Sequence, residues 1–167
     1  GVIFFSDKIE KYIPAKKGKT HVLHIIRELL SLEPTSKGTN VAQALQYFTN
    51  AQKRHCTAFL ISDFIGSGNM YQPLMIASNR HEVNAIQIYD RREAELPNIG
   101  LAKFHDAETG NDIWVDTAIR SVRDAYAKAW RTNQEQIEQL FTRTGVNQVS
   151  VRTDEDYVKA LMHLFRC

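Results

Sequence analysis

Three short apolar runs in this chain each stop on an aspartate: Val2 to Phe5 in "VIFFSD", Thr57 to Ser62 in "TAFLISD" and Val83 to Tyr89 in "VNAIQIYD". Runs of this length, rich in β-branched and aromatic residues and bounded by polar breakers, read as buried strands. Between them, Val22, Ile26, Leu29 and Leu30 share one helical face within Thr20 to Leu32, and Val41, Leu45 and Phe48 share another. Strands alternating with helices predict an α/β fold, a Rossmann-like and mostly parallel sheet with helices on both faces. Ligands in such sheets sit at the carboxyl ends of the strands. Asp7, Asp63 and Asp90 therefore fall together on the chemically interesting rim.

The remaining segments fit around that frame. Ile9 to Ile13 alternate as an edge strand would, and Pro14 stops them. Met70 to Arg80 read as a helix with Pro73 in its first turn. "DRREAELPNIG" reads as a charged loop, and "LAKFHDAETGNDIWVDT" as an inserted hairpin turning at Glu108 to Asn111. A long helix over Ala118 to Thr144 is closed by Gly145. Val149 and Val151 lie on a short strand. Thr153 is the expected N-cap of a last helix, with Asp156 three residues on and Tyr157, Leu161, Leu164 and Phe165 as its apolar stripe. Trp114 and Trp130 fall on apolar faces and are expected in the core; His21 and His24 are expected on the surface.

Composition narrows the function classes. A chain of 167 residues with 43% hydrophobic content suffices for one domain with a full core. A net charge of +2 gives no reason to expect nucleic-acid binding. No apolar run approaches the roughly 18 residues of a membrane span. Cys56 and Cys167 lie far apart without metal-like spacing, which favours a reducing, cytoplasmic setting. The first residue is Gly, not Met, and the chain opens inside a strand pattern, as a piece of a longer protein would.

Two chemistries compete for the rim. "AKKGKTH" holds Gly18, Lys19 and Thr20, the tail of a phosphate-binding loop, but the required first glycine is Ile13, followed by Pro14 with no amide to donate. A basic turn with Thr20 as N-cap is the plain reading, and Lys16, Lys17 and Lys19 then form a solvated face. Ser62 lacks the G-x-S-x-G turn of a nucleophile elbow, and no Cys and His pair in a recognisable motif. No catalytic constellation is visible, which leaves a nucleotide-binding or hydrolytic α/β enzyme as the rival class. The other chemistry is a divalent metal: Thr39 in "KGTN" and Asp63 at a strand end offer the hard oxygens Mg²⁺ prefers. Each has a plainer use, since Thr39 or Asn40 caps the following helix and Asp63 can form a turn with Gly66 and Gly68. Asp7 reads as a turn former, and Asp90 as part of a solvated charged loop that can also shape a partner surface.

The succession "GVIFFSD", "GTNVAQAL", "AFLISDF" resembles the later part of a von Willebrand factor A-like domain. With "YDRREAELPNIGL", "DAETGNDIWVDT" and "TDEDYVKALMHLFR", the chain resembles, over nearly its whole length, the family of unknown function numbered fifty-eight. These are bacterial proteins often encoded beside MoxR-type AAA+ ATPases. The resemblance implies a protein-interaction module, a MoxR-type partner, and a metal-ion-dependent adhesion site in which Thr39 matches the second element and Asp63 the third. The first element, D-x-S-x-S, is not in this sequence, nor is the first, central strand that would carry it. On this reading one domain spans 1–167: a core over 1–90, a charged loop and hairpin over 91–117, and helices with a short strand over 118–167. Mg²⁺ is then expected in the full-length protein and not in these residues alone. The gap would close by direct pairing of the Val2–Phe5 and Thr57–Ser62 strands, or be filled by another chain, a second copy included.

Overall fold

A computed structural model of the chain describes residues 1–36, 38–66, 68–105 and 110–164. Seven strands and six helices follow in the order β1 (Val2–Phe5), β2 (Ile9–Ile13), α1 (Lys19–Ser31), α2 (Val41–Ala51), β3 (Thr57–Ser62), α3 (Tyr71–Arg80), β4 (Glu82–Tyr89), α4 (Arg91–Ala94), β5 (Leu101–His105), β6 (Asp112–Asp116), α5 (Arg120–Thr144), β7 (Asn147–Arg152) and α6 (Tyr157–Leu164). The chain divides into two compact units, Gly1–His55 with Ile65–Arg80, and Cys56–Phe64 with His81–Cys167.

In the first unit β1 and β2 form an antiparallel pair, Val2 opposite Ile13, with a register shift between Phe4 and Phe5. α2 packs against this pair and against α3. Val41, Ala44 and Leu45 of α2 and Leu74 and Ala77 of α3 are buried. Pro73 is the third residue of α3, where no intrahelical partner exists for an amide, so the ring costs the helix nothing. The Tyr71 amide at the start of that helix donates to Asn69 Oδ1 at 3.2 Å. α1 departs from expectation. Its Val22, Ile26, Leu29 and Leu30 are 45–82% exposed and none of its residues is buried. Periodicity located the apolar stripe correctly, but the partly covered residues are the neighbouring His21, Ile25 and Glu28. The helix begins after Gly18, at φ 109°, so Thr20 is not its cap.

In the second unit β3, β4 and β7 form a parallel sheet in that order, the mixed α/β architecture expected. β4 is central and buried on both faces, with Val83, Asn84, Ala85 and Gln87 inside. Its two buried amides are matched: Asn147 Nδ2 lies 3.4 Å from Asn84 Oδ1, and the Ser150 hydroxyl donates to Gln87 Oε1 at 3.0 Å. α5 ends at Gly145 in the left-handed region (φ 66°), and its buried Phe141 meets Phe64 edge-on at 5.1 Å. β5 and β6 pair antiparallel as the hairpin, with Leu101 opposite Asp116; Glu108 and Thr109 of the expected turn lie outside the described residues. Fully buried Thr117 ties the hairpin's base, accepting from the Ile99 amide at 2.9 Å and donating to the Gly100 carbonyl at 2.7 Å.

Three local expectations are corrected in this unit. Trp114 is 64% exposed on the hairpin and outside the core, whereas Trp130 is half-buried against Tyr89. The stretch after Asp90 is not a plain loop but the short helix α4. Thr153 continues the strand ladder through its amide to the Tyr89 carbonyl (3.0 Å), and Asp156 caps α6 by accepting from the Val158 amide at 2.9 Å. In the same helix Tyr157 is exposed and Leu164 buried; Phe165 lies outside the described residues. Among the described residues β1 is paired with β2 within the first unit, and β3 with β4 within the second.

Candidate functional site

The carboxyl ends of β3, β4 and β7 carry Asp63, Asp90 and Thr153. Ser62 stands opposite Gln87 and Tyr89 opposite Arg152, so the residues after each strand line one edge of the parallel sheet. Asp63 is exposed there, and the peptide that follows it is held at both its carbonyl and its amide. Gln87 Nε2 donates to the Asp63 carbonyl at 3.1 Å, and the Ser62 hydroxyl accepts from the Phe64 amide at 3.1 Å. Phe64 itself has φ 59°, the left-handed region, with its side chain buried.

Asp90 is more committed. Its Oδ1 accepts from the Arg92 amide at 2.8 Å and its Oδ2 from the Thr153 hydroxyl at 3.2 Å. Glu93 returns the favour by accepting from the Asp90 amide, completing a capping box at the start of α4. The Arg92 amide, with Thr153 and the Arg92 charge behind it, holds the Asp90 carboxyl below its ordinary range. Asp90 thus joins two strand ends and a helix start. The D-x-x-E spacing, Asp90 to Glu93, was the sequence signal for α4.

The other expected residues lie in the first unit. The Ser6 hydroxyl is 2.6 Å from Glu10 Oε1 and 3.3 Å from Asp7 Oδ1. A hydroxyl has one proton to give, and the shorter contact takes it. Glu10 also accepts from the Thr35 amide and hydroxyl, at 3.1 and 2.7 Å, which ties the loop before α2 to the start of β2. The Ser6 hydrogen bond first, then those of Thr35, hold the Glu10 carboxyl below its usual range. Sequence reasoning passed over Glu10 as one polar position on an edge strand. The same loop is fastened again where the Asn40 amide donates to the Ser6 carbonyl at 2.8 Å, and a Cβ on Gly38 would stand 3.4 Å from the Asp7 Cβ. Thr39 therefore lies in a loop packed on the Asp7 turn. Asn40 is the N-cap of α2, accepting from the Gln43 amide at 3.0 Å. The half-buried Thr39 hydroxyl is left out of the cap.

As metal ligands, Thr39 and Asp63 are right in kind, a hydroxyl and a carboxylate, and short in number for a cation that takes about six oxygens. Among the described residues no three His, Cys, Asp or Glu side chains form a group able to hold a metal ion. At the opposite, amino end of the parallel sheet Cys56 Sγ stands 3.7 Å from His81 Nδ1, a pair hidden by its sequence separation. Burial pushes the Cys56 thiol up, which keeps it protonated and a weak nucleophile. Among the described residues no helix is long and apolar enough to cross a membrane.

Known proteins match this chain over most of its length. The uncharacterised protein Rv1480 of Mycobacterium tuberculosis (strain ATCC 25618 / H37Rv) is 31% identical over 150 residues, 87% of this chain and 46% of its own length. The uncharacterised protein MAV169 of Mycobacterium avium is 29% identical over 158 residues, covering 92% of both. The chain thus spans about half the length of the first of these relatives. The crystal structure of the conserved hypothetical protein BatB from Bacteroides thetaiotaomicron is similar in fold, with a TM-score of 0.55 at 15% identity over 99% of this chain and 78% of that one. The model of the family described as "Protein of unknown function DUF58" matches residues 1–136, and the chain belongs to that family.

Proposed function

We propose that this chain is part of a von Willebrand factor A-like protein-interaction module that presents Thr39 and Asp63 as two oxygen ligands of a Mg²⁺ site. The remaining ligands come from residues outside this chain, and a carboxylate of the bound protein completes the shell. Its partner is a MoxR-type AAA+ ATPase, in the cytoplasm. The observation that carries this reading is the division of labour before α2: Asn40 does the capping, which leaves the Thr39 hydroxyl available in a loop fastened at Ser6 and Glu10. A threonine needed only to start a helix would be expected to occupy the cap itself. Asp63 supports it, exposed beyond a parallel strand where such sheets place their chemistry. Asp7 and Asp90 belong to the partner-facing surface in this account and contribute no metal bond.

The test is association of the full-length protein with a MoxR-type ATPase, followed by calorimetry in Mg²⁺ and again in EDTA. Binding that needs the cation and weakens at least about tenfold in Asp63→Ala or Thr39→Ala supports the proposal. Binding indifferent to both EDTA and these substitutions overturns it. Stabilisation by ATP or GTP in a thermal-shift assay would instead favour the enzyme class.

A further inference from the structure

The corner that follows β3 combines features that none of the expected roles requires. Phe64 holds a left-handed backbone, which a bulky non-glycine residue adopts only when its surroundings impose it. Glycines at positions 66 and 68 take the same region freely, with φ of 64° and 65°, so the chain had a cheaper residue at hand two positions later. What Phe64 has and glycine lacks is a ring. That ring is 3% exposed and meets Phe141 edge-on, centroids 5.1 Å apart and planes at 74°. Phe141 is fully buried near the end of α5, a helix stopped four residues later by Gly145. On the near side Ser62 accepts from the Phe64 amide, and Gln87, 3% exposed, donates to the Asp63 carbonyl. Both polar groups of the peptide that joins Asp63 to Phe64 are therefore held, the carbonyl by Gln87 and the amide by Ser62, while Asp63 itself remains exposed.

We propose that Phe64 is a positioning residue: its ring, anchored on Phe141, holds the left-handed corner that sets the direction of the Asp63 carboxylate. This rests on the reading of Asp63 as a ligand but makes a claim of its own about the backbone. Pairing a costly backbone conformation with a deep side-chain anchor is a way to pre-organise a ligand before its cation or partner arrives. The end of α5 thereby becomes part of the rim's support.

Two readouts on the full-length protein separate the corner from the metal. The first is amide hydrogen exchange of residues 62–66, with residues 82–89 of β4 as the internal reference. Phe64→Gly keeps the backbone conformation accessible and removes the anchor. Exchange at the corner should then rise at least about tenfold while β4 keeps its protection, and Phe64→Leu, which restores an apolar anchor, should recover most of it. Should Phe64→Gly fold poorly, Phe141→Leu trims the same contact from the other side and should loosen the corner in the same selective way. The second readout is Mn²⁺ affinity by calorimetry, expected to fall at least about tenfold in Phe64→Gly and to recover in Phe64→Leu. Unchanged exchange at the corner in both anchor variants overturns the proposal, as does loosening of corner and β4 together, which would mark Phe64 as core only. If the wild type binds Mn²⁺ equally well with and without Asp63, the metal reading fails, and the exchange experiment still decides the corner.

Discussion

Replacing Gln87 tests how the rim is tied to the sheet. Its side chain is buried on the central strand, where Nε2 donates to the Asp63 carbonyl at 3.1 Å and Oε1 accepts from the Ser150 hydroxyl at 3.0 Å. It thus links the ends of all three parallel strands. Gln87→Leu keeps the volume and deletes both bonds. Each is worth about 1 kcal/mol net, and because Asp63 and Ser150 are exposed enough to recruit water, the loss should be about 1–2 kcal/mol. In urea that moves the unfolding midpoint down by about 0.5–1 M with the slope unchanged. Gln87→Glu adds a sign. It keeps the acceptor for Ser150 but sets a carboxylate oxygen against the Asp63 carbonyl, and burial disfavours the charge, so its folded pKa must lie above the unfolded value. The deficit is then full above the folded pKa and shrinks as pH falls toward the unfolded one, where the neutral acid can donate again. A leucine variant within about 0.3 kcal/mol of wild type, or a glutamate variant with the same deficit at acid and alkaline pH, would refute this reasoning.

Other outcomes follow from the same structure. Thr117→Val preserves shape but strands the Ile99 amide and removes the hydroxyl bond to the Gly100 carbonyl, which keeps its bond from the residue 117 amide; denaturant unfolding should show a loss of about 1–2 kcal/mol. Because its partners hold the Asp90 carboxyl below the usual range, Asp90 stabilises the fold above its unfolded pKa and loses that contribution as pH falls through the lower folded value. An acid titration of Asp90→Asn followed by circular dichroism should accordingly show a shallower acid limb. Cys56 should react slowly with iodoacetamide at neutral pH and faster only as the solution becomes alkaline, since burial raises its thiol; rapid labelling at pH 7 would contradict that.

What was legible in the sequence, and what was not, has a consistent physical cause. β1, β2 and β3 have the bounds read from their residues, because short apolar runs between Asp, Pro and Gly leave few alternatives. Gly145 stops α5 where the sequence placed it, since a left-handed cap suits glycine. α4 escaped because four residues show no periodicity, and only the reciprocal bonds of Asp90 and Glu93 mark it. Thr153 was misread because its amide is used by Tyr89, a partner 64 positions away that no local pattern reveals. Trp114 and the stripe of α1 show a limit of another kind. Periodicity says which residues share a face, whereas whether anything covers that face depends on the rest of the fold. At the site, the residue types were visible and their duties were not: that Asn40 rather than Thr39 caps α2, and that Glu10 fastens the loop, follows only from three-dimensional contacts.

The most direct test is a Mg²⁺ titration by calorimetry on the 167-residue chain and on the full-length protein side by side. Binding is expected in the full-length protein and lost in Asp63→Ala and in Thr39→Ala, with only weak or undetectable heats from the shorter chain. Micromolar affinity in the shorter chain, or full-length affinity unmoved by removing Asp63, would contradict it.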